Sequence, residues 1–337
     1  MVFGHSSDSN DTEAQYQHIK SSLSYESYNV AWICALPIEL AAAQAMLDEI
    51  HQIPPRCAND DNTYTLGSIK DHNIVISCPP QYGTNNAASL LTNLKRTFPS
   101  IQFGLIVGIG GGIPSKVDIR LGDVVVGTRV MQYDLEKVMP YGVIQRVAIP
   151  RIPKSSLLAA VMDVRARHES QPSRVPAILQ ERMLHHTAYT RPNTPDRLFE
   201  ASYTHGDPEL DCLGCDQSFL KQRRMRPHLD PIIHYGEIAS GNRAVKDAVF
   251  RDYIAKELGV ICFEMEAAGL MDILPCLPIR GICDYSDSHK AKEWQRYAAG
   301  TAAAYARELL EGMPQEIGTV RKFHRLPSSS ESWLIRS

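Results

Sequence analysis

The sequence predicts an α/β domain with a parallel or mixed sheet, because apolar runs of strand length alternate with helical patterns from Tyr28 onward. The predicted strands span residues 30–36, 74–78, 105–107, 123–126, 232–239, 260–263 and 279–283. The predicted helices span residues 38–50, 85–98, 155–168, 245–258 and 292–310, and one more helix begins near Met265. Pro37 suits the first turn of the first helix.

The composition is that of an ordinary globular protein, with 44% hydrophobic and 22% charged residues among 337. A formal net charge of -3 gives no global basic field that would attract nucleic acid. No stretch approaches the ~20 apolar residues that a membrane helix needs. The polar N-terminus has no apolar core of the kind that a secretory signal carries. We therefore expect a cytoplasmic protein that binds neither nucleic acid nor a membrane.

The domain borders follow from changes in composition. Residues 1–27 are rich in Ser, Asp, Asn and Gln, which predicts a disordered segment. One domain is expected over residues 28–313, followed by a loose tail over 314–337. Residues 131–230 contain one predicted helix and a long stretch rich in Pro, Arg and His. We interpret this region as a variable insertion at the edge of the domain.

The cysteines favour buried thiols over a metal site. Four of the eight lie in apolar runs and are expected to be small buried hydrophobic residues: Cys34, Cys78, Cys262 and Cys283. Cys212 and Cys215 have the spacing of half a zinc site. The nearest later candidates are His228 and His234, but no second tight pair follows. A loop turn is the favoured interpretation, and we expect no metal and no cofactor.

Polar residues or glycines follow five of the predicted strands. They are Glu39, the glycine run at 108–112, Ser240-Gly241-Asn242, the pair Glu264 and Glu266, and Asp284. Ligands of open α/β sheets bind beyond the carboxyl ends of the strands. Scattered surface charges would not be placed in this way, so the pattern predicts one shared ligand site.

Glu264 and Glu266 flank Met265 directly after a predicted strand. A carboxylate in this position can accept hydrogen bonds from a vicinal diol such as the two ribose hydroxyls. It can also stabilise positive charge that develops on a sugar ring. The alternative is a helix N-terminus that favours acidic residues, and the local pattern supports both interpretations equally.

Asp284 lies just past a predicted buried strand, where partial desolvation raises the pKa of a carboxyl group. Such a group can protonate a purine nitrogen and make the base a better leaving group. The alternative, at least as well supported by position alone, is an N-cap for the following segment.

The glycine run is weak evidence by itself. Glycines let the backbone approach a ligand closely. The run lacks the third glycine of a dinucleotide-binding fingerprint, and no Gly-Lys-Ser/Thr follows as in a phosphate-binding P-loop.

Five short motifs, taken together and in order, resemble one family. They are residues 35–39 (ALPIE), 107–111 (VGIGG), 240–242 (SGN), 263–268 (FEMEAA) and 280–284 (RGICD). The set resembles the nucleoside phosphorylase and methylthioadenosine/S-adenosylhomocysteine nucleosidase superfamily. The sequences of several segments are most similar to a fungal branch of this superfamily, whose members often form the N-terminal part of NLR-like proteins. The resemblance implies a single-domain three-layer α/β/α sandwich with a mixed central sheet, and it weakens through residues 131–230.

The resemblance implies roles for individual residues. Glu39 matches a glutamate that activates water, Glu266 one that binds ribose, and Asp284 an acid that assists protonation of the purine. Met265 matches a methionine that packs on the sugar, and Arg280 an arginine near the water site. Four further residues complete the set: Ile109 and Gly110 beside the anomeric carbon, and Ala244 with Val245 at the base. Relatives carry an aromatic residue at one of the last two positions, so Ala244 leaves base stacking open.

Hydrolysis is favoured over phosphorolysis. Phosphorylases of this family clamp phosphate with arginines, including one just after the first strand, but no basic residue occurs in residues 37–50 here, and Glu39 would repel a phosphate dianion. We therefore predict a purine nucleosidase that releases free base from a nucleoside or nucleotide. Two alternatives remain: a phosphate-dependent nucleoside phosphorylase, and a catalytically inactive nucleotide-binding module of an immune sensor.

Adenosine or its nucleotides rank first as substrates, ahead of methylthioadenosine-type thioethers. A triphosphate tail would need cations, and the candidates are Arg243, Lys246, His289, Lys290 and the basic run at residues 221–226. Solvated surface charge is the usual alternative for such a run. Because family members usually form dimers or hexamers, a homo-oligomer is also expected.

Overall fold

The computed structural model describes residues 19–20, of which only the backbone is considered, and residues 22–55, 57, 59–147, 149–206, 212–289 and 291–314. The described residues form twelve strands: β1 (Ile19–Lys20), β2 (Val30–Ile33), β3 (Glu49–His51), β4 (Tyr64–Ile69), β5 (His72–Ser77), β6 (Phe103–Gly112), β7 (Val124–Gln132), β8 (Glu136–Val138), β9 (Ile144–Arg146), β10 (Ile233–Ser240), β11 (Cys262–Glu264) and β12 (Cys276–Asp284). The α-helices are α1 (Pro37–Ala45), α2 (Thr84–Thr97), α3 (Ser155–Ser170), α4 (Val175–Arg182), α5 (Ala248–Leu258), α6 (Ala267–Leu270) and α7 (Gln295–Gly312).

Ten of these strands form one mixed sheet in the order β1-β3-β4-β5-β2-β6-β11-β10-β7-β12. A further pairing joins β12 to β6, so five strands close on themselves at one end of the sheet. Parallel pairs such as β2 with β6 lie beside antiparallel pairs such as β11 with β6. The mixed α/β sheet predicted from the sequence is confirmed.

Helices cover both faces of the sheet and complete a three-layer arrangement. The main core lies on one face, where α1, α3 and α4 pack around the Ala-rich helix α7. The second core holds α2 and α6 on the other face. The small side chains of α7 let it approach β6 and β12 closely, and its residues from Tyr297 to Leu310 are buried.

The first predicted helix is shorter than expected. It begins at Pro37 as predicted but ends at Ala45, and residues 49–51 form β3 instead of the last helical turn. Met46 and Leu47 are fully buried at this bend, so the apolar pattern continues although the helix does not. Strands β3 and β4 pair with each other and were not predicted, because Gly67 and Ser68 interrupt the apolar alternation of β4.

The glycine run is part of a strand, whereas the sequence placed it after the end of the predicted strand at residues 105–107. Strand β6 continues through Gly112 because β11 and β12 pair with residues 110–112 on its two sides. Ser240, Glu264 and Asp284 are likewise the last residues of their strands rather than the first residues after them.

The interpretation of residues 131–230 as an edge insertion needs correction. Helix α3 begins at Ser155 as predicted, and its buried residues Leu157, Val161 and Val164 belong to the main core. The unpredicted helix α4 joins the same core through Val175 and Ile178. Part of this region is therefore structural, while the hairpin of β8 and β9 is exposed at its apolar tip.

The N-terminal border also differs from the expectation. Residues 25–27 form a 3-10 turn, and the Tyr25 ring packs edge to face on Phe98 at 5.3 Å between ring centroids. Strand β1 pairs with β3, so the predicted disorder does not extend to residue 27. Residues 1–18 and the tail from 315 onward lie outside the described residues. Among the described helices, none is both long and apolar enough to cross a membrane.

Candidate active site

A cavity of about 360 Å³ lies where β2, β6, β11 and β12 end. Most of the residues that the sequence proposed for the site line it: Glu39, Ile109, Gly110, Ala244, Val245, Glu264, Met265, Glu266 and Asp284. These residues are separated by up to 245 positions along the chain, from Glu39 to Asp284. The fold therefore brings four of the five motifs to one place.

Glu39 is the acid at the inner wall of this cavity, and only 2% of the residue is exposed. Its Oε2 accepts the backbone N–H groups of Ala35 at 2.6 Å and Leu36 at 3.0 Å, which satisfies the start of α1. Its Oε1 accepts the N–H of Ile109 at 2.8 Å. Burial raises the pKa of Glu39, and the charge of Arg280 and the three N–H groups oppose the rise.

The three backbone donors leave limited capacity on the Glu39 carboxylate. Each carboxylate oxygen accepts two hydrogen bonds, so Oε2 is saturated by Ala35 and Leu36. Oε1 keeps one acceptor position after its bond from Ile109. The geometry thus fixes the carboxylate and leaves one lone pair for a ligand or a water molecule.

Glu264 and Glu266 have different roles: Glu264 fits the helix N-terminus interpretation, and ligand binding at Glu266 stays a prediction. Glu264 accepts the N–H groups of Glu266 and Ala267, both at 3.0 Å, and so caps helix α6. Glu266 makes no cap bond with its side chain. One of its oxygens accepts the N–H of Gly83 at 3.3 Å, and the other lies 3.1 Å from Arg280.

Arg280 lies behind the two glutamates and joins them. Its Nη2 donates to Glu264 Oε2 at 2.5 Å and to Glu266 Oε2 at 3.1 Å. Burial by itself would lower the pKa of Arg280, but the charges of Glu264, Glu266 and Glu39 raise it above the ordinary value. Arg280 does not line the cavity, so it positions the acids rather than contacting a ligand.

The ionisation of Glu266 is unusual. Burial raises its pKa to about 7; the charge of Arg280 opposes the rise, and the charges of Glu264 and Glu39 add to it. One cation thus compensates three clustered carboxyl groups. The inner wall of the cavity consequently carries a net negative charge whenever all three acids are ionised.

Asp284 also lines this cavity and is held by its own turn. Its Oδ1 accepts the N–H of Ser286 at 2.9 Å, and its Oδ2 accepts the Cys283 thiol at 3.6 Å. The bond to Ser286 closes a local turn and is not the helix N-cap offered as the alternative, because residues 285–289 form no helix. Burial raises the pKa of Asp284; the Ser286 N–H opposes the rise, and the charge of Asp287 adds to it. A protonated carboxyl group is therefore favoured here more than at an exposed aspartate.

Glycines allow both acids to approach β6. A Cβ on Gly108 would overlap Glu39 Oε1 and would lie 2.7 Å from Arg280 Nη1. A Cβ on Gly111 would overlap the Ser286 hydroxyl and lie 2.8 Å from Asp284 Oδ1. The glycine run therefore leaves space for the side chains of Glu39 and Asp284 beside β6.

The motif at residues 240–242 lies behind the cavity wall, whereas the sequence placed it in contact with the ligand. The Ser240 hydroxyl accepts the N–H of Ala268 at 2.9 Å and so anchors helix α6. Gly241 packs closely on Tyr133 and Asp134. Asn242 accepts the N–H of Thr84 at 3.0 Å, next to the Gly83 N–H that reaches Glu266. These residues support the site from outside its lining.

Several cavity residues were missed by the sequence reasoning. They include Tyr82, Ser286, Asp287, Lys292 and Gln295. Tyr82 follows β5 in the segment Pro-Pro-Gln-Tyr-Gly, where only the nearby strand end and the glycine could have indicated a ligand site. Lys292 and Gln295 lie at the start of the last helical segment, whose Ala-rich pattern indicates a packed helix and not a ligand site.

The cations proposed for a phosphate tail divide into two groups. Arg243, Lys246 and His289 line the cavity, as predicted, and Lys290 lies outside the described residues. The basic run at residues 221–226 does not line it, because its members pair elsewhere. Arg223 pairs with Asp196 at 2.9 Å, and Arg226 pairs with Asp123 at 2.7 Å.

The chain belongs to the phosphorylase superfamily, since the model of that family matches residues 29–311. The chain is 44% identical over 304 residues to a nucleotide-binding leucine-rich repeat (NLR)-like protein of Hyaloscypha variabilis. That match covers 86% of the chain but 30% of the relative, so the chain spans under a third of that protein's length. The superfamily and the NLR-associated branch that the motifs indicated are confirmed.

Other relatives are complete enzymes of similar size. A 5'-methylthioadenosine/S-adenosylhomocysteine nucleosidase of Mycobacterium bovis is 25% identical, with 85% of the chain and 96% of the relative covered. The structure of futalosine hydrolase of Helicobacter pylori matches with a TM-score of 0.56 at 17% identity, covering 86% of the chain and 98% of its own. The structure of a 5'-methylthioadenosine/S-adenosylhomocysteine nucleosidase of S. pneumoniae, solved with the transition-state inhibitor MT-ImmA, matches with a TM-score of 0.56 at 19% identity. This match covers 85% of the chain and 100% of the nucleosidase. These structures support the fold.

Proposed function

We propose that the chain hydrolyses the N-glycosidic bond of a purine nucleoside or nucleotide and releases the free base. The observation that carries this proposal is that Glu39 and Asp284, two buried carboxyl groups far apart in the sequence, line one cavity. Burial raises the pKa of both carboxyl groups above the ordinary values, which favours their use in proton transfer. The superfamily membership and the matches with nucleosidases support the same class of reaction.

The attacking water is held by Glu39. The remaining lone pair of Oε1 accepts a hydrogen bond from water while the three backbone donors keep the carboxylate in place. As the water attacks the anomeric carbon, its proton moves to Glu39. This arrangement is similar in logic to the general-base step of glycoside hydrolysis.

The ribose binds at Glu266. An ionised Glu266 accepts hydrogen bonds from the vicinal hydroxyls, and Met265 provides an apolar surface for the sugar. Arg280 holds the carboxylate from behind at 3.1 Å. The negative charge of Glu264 and Glu266 also stabilises the positive charge that develops on the sugar ring as the bond breaks.

The leaving base is protonated by Asp284. Its raised pKa lets it carry a proton at a pH where an exposed aspartate would be ionised. Transfer of that proton to a purine nitrogen neutralises the charge that the base takes from the broken bond. Ala244, Val245 and Phe263 line the same cavity and supply apolar contacts for the base.

Electrostatics at the inner wall favour water over phosphate. Phosphate would have to sit beside Glu39, close to Glu264 and Glu266, and Arg280 already donates to the latter two. Uncompensated burial of a phosphate dianion beside carboxylates is costly. A neutral water molecule carries no such penalty.

The cations of the cavity favour an adenine nucleotide over a thioether. Arg243, Lys246 and Lys292 line the cavity, and the Lys246 charge acts on Asp284. Cations that line a cavity can pair with phosphate oxygens on the substrate. Adenine nucleotides therefore rank ahead of methylthioadenosine, which carries no phosphate.

The test is release of adenine in phosphate-free buffer from ATP, adenosine and methylthioadenosine, measured by liquid chromatography. The proposal expects release without phosphate and faster release from at least one of the first two substrates. Release only after phosphate is added would identify a phosphorylase. Ligand binding without release from any of the three would identify a nucleotide-binding sensor module instead.

A further inference from the structure

A second cluster of ligating side chains lies beside the proposed active site. One ring nitrogen of His205, the Cys215 sulfur and one ring nitrogen of His289 all lie within 4.8 Å of one another. The His205 Nδ1 is 3.0 Å from the Cys215 sulfur. Cys215 belongs to the pair for which the sequence suggested half a zinc site, but its neighbours are not His228 and His234. His234 pairs with Asp123 at 2.8 Å instead.

The imidazole ring of His289 is buried and makes no hydrogen bond with the described residues. The residue is 8% exposed, and within the described part of the chain neither ring nitrogen makes a hydrogen bond. The nearest carboxylate oxygen, on Asp287, is 3.6 Å from Nδ1. Leaving both nitrogens of a buried imidazole unsatisfied is unfavourable, because buried polar groups usually find a partner. A bound cation would satisfy one of them.

The imidazole is held in place by ring stacking. Phe199 lies parallel to the His289 ring, with 4.2 Å between centroids and 15° between planes. Stacking fixes the plane of the ring while leaving the lone pair of a ring nitrogen free in that plane. The orientation of His289 is therefore set before any cation binds, which lowers the entropic cost of binding.

The backbone also brings the two histidines together. The N–H of His205 donates to the Ser288 hydroxyl at 2.8 Å, which joins the segment around residue 205 to the loop after β12. Cys215 directly follows a 3-10 turn, Cys212–Gly214, and packs with Phe199 and Cys212 in a small apolar cluster. The side chains of His205, Cys215 and His289, from two segments far apart in the sequence, therefore meet at a partly buried position.

We infer that His205, Cys215 and His289 bind one divalent cation of the zinc type. Two imidazole nitrogens and one thiolate are ligands that zinc prefers, whereas magnesium and calcium require oxygen ligands. Zinc bonds of about 2.0–2.3 Å place ligand atoms about 3.5 Å apart, so the cluster, whose atoms lie within 4.8 Å of one another with one pair at 3.0 Å, needs only a small rearrangement. Binding displaces the Cys215 thiol proton to solvent, and the three side chains leave one tetrahedral position for a further ligand.

The cation would connect two parts of the chain that border the active site. His289 and Asp287 line both the main cavity and an adjoining cavity of about 280 Å³ that also contacts Cys212 and Phe199. A metal there would restrain the loop that follows Asp284. The inference does not depend on the nucleosidase proposal, because its readout is metal content.

The experiment measures zinc bound by the full chain after chelator treatment, equilibrium dialysis against zinc alone and removal of free metal. We expect one zinc per chain for the wild type and for the control variants Cys57→Ser and His228→Gln. Cys215→Ser and His289→Gln should lose that equivalent. Circular dichroism of each variant establishes whether it is folded.

Cobalt substitution keeps the test decisive if a variant fails to fold. The wild-type chain loaded with Co²⁺ should show a thiolate-to-cobalt charge-transfer band, which identifies a sulfur ligand without any variant. The inference is overturned if the wild type retains no zinc. It is also overturned if folded Cys215→Ser retains the full equivalent, or if bound cobalt shows no thiolate band.

Discussion

The backbone N–H of Ile109 lies 2.8 Å from Oε1 of Glu39 and joins strand β6 to the first turn of helix α1. This bond, with the two N–H groups that hold Oε2, fixes the carboxylate in a buried position. A helix-capping glutamate is a common structural feature. Glu39 differs from an ordinary capping residue because it also lines the cavity and keeps one free acceptor position on Oε1.

Replacing Asp284 with Asn should reduce purine release by about 10²-fold or more, as loss of a general acid does. The amide keeps the size of the side chain and can still accept the Ser286 N–H, so the fold should be retained. Adenine release under saturating substrate measures the effect, and thermal unfolding checks the fold. Asp71→Asn, in the exposed turn between β4 and β5, is the matched control. Equal rates for the two variants would remove Asp284 from the mechanism.

Replacing Gly108 with Ala should displace Glu39 and Arg280, because the new Cβ would overlap Glu39 Oε1. Displacement of a catalytic group by about 1 Å can cost 10²-fold in rate. The kcat/KM for adenine release is the measurement. Gly214→Ala serves as the control, since a Cβ at that glycine has nothing within 4 Å. Unchanged kcat/KM in Gly108→Ala would show that the position of Glu39 does not matter.

Replacing Arg280 with Met should lower the free energy of unfolding by about 3–5 kcal/mol, because removal of one partner leaves buried carboxylates uncompensated. Urea unfolding followed by circular dichroism measures this change. Arg129→Met is the matched control, since its pair with Glu237 is largely exposed and should be worth less than about 1 kcal/mol. A similar small loss in both variants would contradict the account of the buried cluster.

The stability of the protein should depend on the proton held by Glu266. Its pKa is about 7 in the folded chain, against 4.5 for an unperturbed glutamate. Between these values the folded state keeps a proton that the unfolded chain has lost. This contribution to stability is therefore present below pH 4.5 and is lost as the pH rises through 7. The free energy of unfolding, measured in urea at pH values from 5 to 7.5, should fall less steeply with pH for Glu266→Gln than for the wild type. If the two free energies fall in parallel, the raised pKa of Glu266 is contradicted.

The acidic residues of the site were predictable because each lies at a strand end or within a few residues after one. Glu39, Glu266 and Asp284 all line the cavity, as the order of the motifs indicated. The motif at 240–242 was placed wrongly for a physical reason. A polar residue at a strand end can satisfy a neighbouring backbone group instead of a ligand, as Ser240 does for Ala268.

Local pattern failed where packing decided the structure. The residues after Ala45 kept their apolar character, yet Met46 and Leu47 turn into the core and β3 follows. The glycine run was placed after a predicted strand, but pairing with β11 and β12 makes it part of that strand. The cluster of His205, Cys215 and His289 was signalled only by the spacing of Cys212 and Cys215, because His289 lies 74 positions beyond Cys215 and joins the cluster only in space.

The most direct test of the account is the source of the oxygen on the released sugar. Reaction with adenosine in H₂¹⁸O without phosphate should give free adenine and ribose labelled with one ¹⁸O at the anomeric carbon, detected by mass spectrometry. Brief sampling limits exchange, and unlabelled ribose in the same solvent provides the correction for it. Glu39→Gln should slow formation of the labelled ribose by about 10²-fold or more, because the general base is lost. Absence of turnover without phosphate, with ribose 1-phosphate formed when phosphate is added, would contradict water activation by Glu39.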